Sequence, residues 1–288
     1  MGKIRQELWP WTRQPQVAVG ADAGNPLTLG LVVLATPNAC YFRSTYKPAS
    51  RVSTEVYARS FGRSGGAKSY AVSGINGYVA LGSGAEVGPL LNTGQITVLT
   101  VATPAAATRG DMVTRWNIGS SGATAEQFNL LAGITTNKPE FFISDGTNLG
   151  SSGASAITVV VGQPAVIVGS HSTSNCRVYV DGVLGASGTA GNRVMSSTST
   201  QSLYIGNNVA AANPYVGYQA LTAIWNRQLS DVEVWNVSQN PWQLFAPQQI
   251  IIPTPAASVG YAHPALSLAT ATEITATSFR PRVTYTFS

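Results

Sequence analysis

The sequence predicts an all-β chain folded as a two-sheet sandwich with one short helix. Three observations carry this. Short apolar runs alternate with polar residues along the chain, the period of half-buried strands. Glycine (29) and proline (16) punctuate those runs at turn positions. A single segment combines a capped start with a proline stop, the signature of a helix.

Residues 1–25 read as an extended docking arm. Trp9-Pro-Trp-Thr-Arg-Gln-Pro15 places two prolines close together, which favours extended backbone. Trp9 and Trp11 are costly to leave in water, and Arg5 and Arg13 flank them with charge. The tryptophans are expected to insert into a neighbouring subunit, with the chain's own domain as the alternative.

The body, residues 26–247, opens at Asn25-Pro-Leu-Thr-Leu-Gly-Leu31. Val52–Ala58 alternates as a half-buried strand, and Arg63-Ser-Gly-Gly66 is a turn. Tyr70–Gly82 gives two short strands around Asn76-Gly77, a pair that suits a tight hairpin because both positions tolerate positive φ. Gln95–Val101 is a continuous β-branched run, as in a central strand. Further strands are predicted at Phe141–Ser144, Ile157–Val161 and Ala165–Val168. Arg177-Val-Tyr-Val-Asp-Gly-Val-Leu184 turns at Asp181-Gly182, Ser202–Asn207 ends a strand in Ile205-Gly206, and Ala223–Trp225 leads into the helix. Ser230 and Glu233 stand in capping-box spacing, and Asn240-Pro241 stops the helix. Trp235 and Trp242 are expected to pin it onto the sheets. Residues 248–288 form a C-terminal extension. In it Val283, Tyr285 and Phe287 alternate with Thr284 and Thr286, a terminal strand able to add to its own sheet or to a neighbour's.

Charge is scarce and uneven. Only 10% of residues are Asp, Glu, Lys or Arg, against roughly 25% in ordinary soluble domains. The whole net charge of +5 comes from residues 1–68, which suits either docking onto an acidic partner or a solvated strand face. No compact basic run interleaves with aromatics, which argues against nucleic acid. Cys40 and Cys176 lie in no metal spacing and are expected as two buried thiols. Lys3-Ile-Arg-Gln-Glu7 has no apolar run behind it, so no signal peptide is expected, and Leu29–Ala35 is too short to span a bilayer.

The order of several short motifs resembles a laminin-G-like, concanavalin A-like jelly roll. Gly74-Ile-Asn-Gly-Tyr-Val-Ala-Leu81 followed by Gln95–Val101 is similar to the family's "G-x-x-x-Y-V-x-L" and central strand. Tyr179-Val-Asp-Gly182, Ile205-Gly206 and Arg227-Gln-Leu-Ser-Asp-Val-Glu233 match "Y-V-D-G", "I-G" and "R-x-L-S-x-x-E" in order. The likeness spans roughly 27–245. It implies a two-sheet jelly roll built more often for binding and assembly than for catalysis. One departure is that the central strand has Leu99 or Thr100 where the family often carries tryptophan. The flanks, including Asn240-Pro-Trp-Gln-Leu-Phe245 and Arg280–Phe287, resemble virion proteins of tailed bacteriophages.

No catalytic constellation is legible. His171 and His263 lack a nucleophile elbow around Ser170 or Ser172, and the carboxylates are dispersed singly. Asp145-Gly146 and Asp181-Gly182 read as turns before metal ligands, and Gly62–Lys68 lacks phosphate-loop spacing. No cofactor or metal is expected. The candidate glycan-binding set is Asn207, Asn208, Asn213 and Tyr215, whose amides pair with sugar hydroxyls and whose ring offers a stacking face.

The reading is therefore a non-enzymatic structural protein of a phage virion, assembled in the bacterial cytoplasm. It would be a tail fibre, spike or capsid decoration, docked through Arg5, Trp9, Trp11 and Arg13. Its partners would be other virion proteins and host surface polysaccharide, without nucleic acid or membrane insertion. Val283, Tyr285 and Phe287 would help assemble a homo-oligomer, a trimer by analogy with phage fibres. The alternatives are a carbohydrate-binding module and a jelly-roll glycan hydrolase.

Overall fold

In the computed structural model the chain divides into two units, Met1–Gln248 and Gln249–Ser288. The structure describes residues 21–36, 39–42, 45–47, 70–72, 78–116, 126–133, 137–189, 195–207 and 213–245. The arm residues Arg5, Trp9, Trp11 and Arg13, the terminal Val283, Tyr285 and Phe287, the 52–66 segment and Asn208 lie outside these.

The described strands are β1 (Leu31–Thr36), β2 (Ala39–Phe42), β3 (Thr45–Lys47), β4 (Tyr70–Val72), β5 (Val79–Gly82), β6 (Ile96–Pro104), β7 (Asp111–Trp116) and β8 (Glu126–Leu131). They continue with β9 (Glu140–Ser144), β10 (Leu149–Ser151), β11 (Ala165–His171), β12 (Asn175–Val180), β13 (Val183–Thr189), β14 (Leu203–Ile205) and β15 (Gly217–Trp225). Two helices accompany them, α1 (Gly84–Leu91) and α2 (Asp231–Gln239). All pairings within the sheets are antiparallel. One sheet runs β13-β12-β11-β6-β15-β1-β2-β3, with β4 also on β15; the other runs β10-β9-β8-β7-β14-β5. The fold is the two-sheet sandwich that the sequence predicts.

The central strand behaves as expected. β6 is buried along its whole length between β11 and β15. The Asp181-Gly182 turn joins β12 to β13 with both residues at positive φ (51° and 84°), the hairpin geometry that Asp-Gly permits. Between the sheets lies a core of alternating side chains, including Val98, Val113, Leu130, Phe141, Ile167 and Ile205. Packing there is tight enough that a Cβ on Gly169 of β11 would sit 2.3 Å from the Phe141 ring of β9. Gln219 of β15 crosses the gap, its Nε2 donating to Met112 O (3.0 Å) on β7.

Three expectations are corrected. The strands flanking Asn76-Gly77 are not a hairpin: β4 pairs with β15 in one sheet and β5 with β14 in the other. A sandwich requires the chain to change sheets somewhere, and it does so between them. Ile157–Val161 is not a strand; Gln163 N–H closes a turn onto Val160 O, leaving Val160 and Val161 exposed. Trp242 is buried, but Trp235 is 48% exposed and only edges against Gly182. Helix α1 was not anticipated, although Ser83 and Glu86 form a capping box at its start.

Candidate functional site

The outer faces of the two sheets differ in chemistry. Outward residues of the larger sheet, such as Leu99, Val101, Val168, Tyr179 and Trp225, join Leu27, Val234, Val237, Trp242 and Leu244 in a second apolar cluster. Helix α2 and the segment after it therefore lie over this face. Polar bonds lock them down. Arg227 donates to both carboxylate oxygens of Glu233 (3.0 and 2.7 Å), and Glu233 in turn accepts from Ser230 N–H (2.9 Å). The Arg227 hydrogen bonds hold the Glu233 carboxyl down at about 2, against an opposing push from partial burial. Asp231 accepts from Tyr179 Oη (2.7 Å) and Arg177 Nη1 (2.9 Å), and Trp225 Nε1 donates to Leu27 O (2.6 Å). The "R-x-L-S-x-x-E" pattern is thus a clamp for one helix.

The smaller sheet faces outward with another row. Phe141 points at the larger sheet, so Phe142 points away from it. Directly opposed residues share a face. Following the register from Phe142 gives Asn129, Thr114, Tyr204 and Ala80 across five strands, with Ser151 on the far side. Tyr78 belongs to this row, since its ring meets Tyr204 edge-on at 5.3 Å. Tyr78, Tyr204, Phe142 and Ser151 are partly exposed, while Thr114 and Asn129 are buried. A neighbouring outward row pairs Asp111, Leu131 and Glu140. Asn129 Nδ2 donates to Asp111 Oδ1 (2.9 Å), and Ser151 Oγ donates to Glu140 Oε1 (2.7 Å). Thr114 Oγ1 and Asn129 Oδ1 have no hydrogen-bond partner among the described residues. Partly exposed aromatic rings on one face are the chemistry that stacks on sugar rings.

The predicted set Asn207, Asn213 and Tyr215 does not form a ligand surface. Asn207 is buried, and its Oδ1 accepts from Asn213 N–H (3.2 Å), closing the loop between β14 and β15. Asn213 is half-buried, and its carbonyl accepts from Asp111 N–H. Tyr215 is 2% exposed within the inter-sheet core, where burial pushes its phenol pKa up. An aromatic ring in the core cannot stack on a sugar. Neither Ser170 nor Ser172 forms a triad with His171. Ser170 and His171 are consecutive in β11 and so point to opposite faces, and Ser172 Oγ bonds Asn175. Cys176 is buried with Sγ 3.5 Å from His171 Nδ1. Among the described residues no group of three His, Cys, Asp or Glu could hold a metal.

Sequence reasoning missed Arg115. It is fully buried on β7, donating to Ser199 O, Gln201 O, Asn92 Oδ1 and Gln127 Oε1. Desolvation lowers its pKa to about 10, so it stays charged at neutral pH. It ties the end of α1 and the 195–201 segment to the smaller sheet. A lone arginine inside an alternating strand is the one signal the sequence offers.

The family model laminin G 3, of the concanavalin A-like lectin/glucanases superfamily, matches residues 73–235. The chain belongs to this superfamily. No curated protein matches it by sequence. Solved structures of similar fold include domain 4 of AbnA, a GH43 extracellular arabinanase from Geobacillus stearothermophilus, in complex with arabinotriose. It is 14% identical with a TM-score of 0.51, over 77% of this chain and 100% of that one. A mutant sialidase of Trypanosoma rangeli displaying trans-sialidase activity is 12% identical with a TM-score of 0.51, over 76% of this chain and 34% of that one. The receptor binding domain of a botulinum neurotoxin C/D mosaic serotype is 10% identical with a TM-score of 0.50, over 74% and 51%. The chain thus spans about a third of the sialidase and half of the neurotoxin domain. In this superfamily member, the face sealed by α2 and the face carrying Tyr204 lie on opposite sides of one core.

Proposed function

We propose that the chain is a non-enzymatic glycan-binding sandwich and a structural component of a phage virion, with the outer face of the smaller sheet as its glycan surface. The outward row Tyr78–Tyr204–Phe142 carries this reading, because it sets partly exposed aromatic rings on one face of the sheet. Arabinotriose bound to an arabinanase domain of the same fold supports it. Asp111 and Glu140 are each engaged by a neighbouring side chain and stand on strands two apart, which favours binding over hydrolysis. The virion setting rests on the flanking segments and the low charge of the chain.

Screening the full chain on an array of bacterial surface oligosaccharides tests the reading. Binding that is lost in Tyr204→Ala combined with Phe142→Ala, with no reducing ends released from the bound glycan, is the expected result. Binding to no saccharide, or release of reducing ends, would refute it. Antibody labelling of phage particles checks the virion setting.

A further inference from the structure

A small cavity lies inside the sandwich, walled in part by Pro104, Met112, Val159 and Ile167 and by two residues with polar side chains, Asn137 and Tyr215. Its volume is about 10 Å³, the room that one water molecule needs. Asn137 and Tyr215 are both buried, and neither Asn137 Oδ1 nor Tyr215 Oη has a hydrogen-bond partner among the described residues. Both residues are pinned in place. Tyr215 N–H donates to Gly206 O (2.7 Å), and its ring lies so close over Gly217 that a Cβ there would sit 2.8 Å from Cε1. Asn137 O accepts from Val159 N–H (2.9 Å), and the Asn137 backbone is held in the left-handed region at φ 52°. Tyr215 leads into β15 of the larger sheet and Asn137 into β9 of the smaller.

We infer that this cavity is a binding site for one water molecule, which bridges Tyr215 Oη and Asn137 Oδ1 and so ties the two sheets together. The chemistry of the pair selects water. An amide oxygen only accepts, so Oδ1 needs a donor. Burial pushes the Tyr215 phenol pKa up and keeps its proton in place, so Oη has a proton to give. A water accepts from the phenol and donates to the amide oxygen. Leaving either atom unpaired in the core costs stability, and polar-walled cavities are where proteins hold buried water. The room excludes a larger ligand, and the lining carries no charge that would hold an ion. The bridge stands beside the other polar tie across the gap, since Met112, whose carbonyl accepts from Gln219 Nε2, lines the same cavity.

Magnetic relaxation dispersion of water oxygen, which counts long-lived internal waters, tests this on the full chain. Tyr215→Phe keeps the ring and removes Oη, and should hold one long-lived water fewer than the wild type. Asn137→Gly, which suits the left-handed backbone, should lose the same water and serves as the second variant should the first fold poorly. In urea unfolding each single variant should lower the folding constant about two- to tenfold. The double variant should lose less than the product of the two, because both groups act through one shared water. A water count unchanged from wild type in both variants overturns the inference. So do losses that multiply in the double variant, the mark of two groups with no shared partner.

Discussion

On the larger sheet the outward residues are Leu99, Val101, Tyr179 and Trp225, and helix α2 lies over them. On the smaller sheet they are Tyr204, Thr114, Asn129 and Phe142. Both faces come from the same pleat, in which every second side chain points outward. An apolar outward row must be covered, and the chain supplies the cover from its own later residues, fixed by Arg227–Glu233 and Asp231–Tyr179. The smaller sheet's outward row keeps Tyr204 and Phe142 partly exposed to solvent, while Thr114 and Asn129 beside them are buried. Similar backbone is thus covered on one side and left partly open on the other, where recognition is proposed.

The strongest way to break the contrast is on the sealed side. Trp225→Ala removes a fully buried indole and its bond to Leu27 O, and should cost about 3–5 kcal/mol in urea unfolding. Arg115→Met should cost somewhat less, about 3 kcal/mol, because the buried Ser199 O and Gln127 Oε1 lose the guanidinium as donor, as do the partly buried Gln201 O and Asn92 Oδ1. It should loosen the α1 end of the smaller sheet, seen as faster amide exchange in 84–92 and 195–201. Glu233→Gln sharpens the comparison at the clamp. It should cost about 1 kcal/mol at neutral pH. The Glu233 carboxyl lies below its ordinary value when folded, so its contribution is full above about pH 4.5 and is lost as pH falls towards 2. An acid titration of stability should lose that component in the variant.

Local signals made much of the sealed side legible in the sequence. The Asp181-Gly182 turn, the Ser230–Glu233 cap and the Asn240-Pro241 stop are each set by residues a few positions apart. The proposed recognition face was not legible. Tyr204, Thr114, Asn129 and Phe142 meet only through register across strands far apart in sequence, and a shift of one residue would turn each of them inward. Asn207 and Tyr215 looked like a loop site because polar and aromatic residues cluster there. The bonds from Asn213 to Asn207 and from Tyr215 N–H to Gly206 O instead close the loop on itself. Helix α1 was obscured by Gly84, Gly88 and Pro89, all poor helix formers, even though its Ser83–Glu86 cap repeats the pattern read correctly at Ser230. Ile157–Val161 has strand composition, but its backbone turns back through Gln163 N–H to Val160 O.

The smallest expected effect on stability belongs to the open face. Tyr204→Ala removes a partly exposed ring and one edge-on contact with Tyr78, and should cost no more than about 1 kcal/mol. The same substitution should have the largest effect on binding. Isothermal titration of the wild-type chain, Tyr204→Ala and Glu233→Gln with a saccharide selected by the array tests the division of labour most directly. Affinity should fall about tenfold or more in Tyr204→Ala and stay unchanged in Glu233→Gln, where only the helix clamp is weakened. Equal affinity for wild type and Tyr204→Ala, or a loss confined to Glu233→Gln, would contradict it.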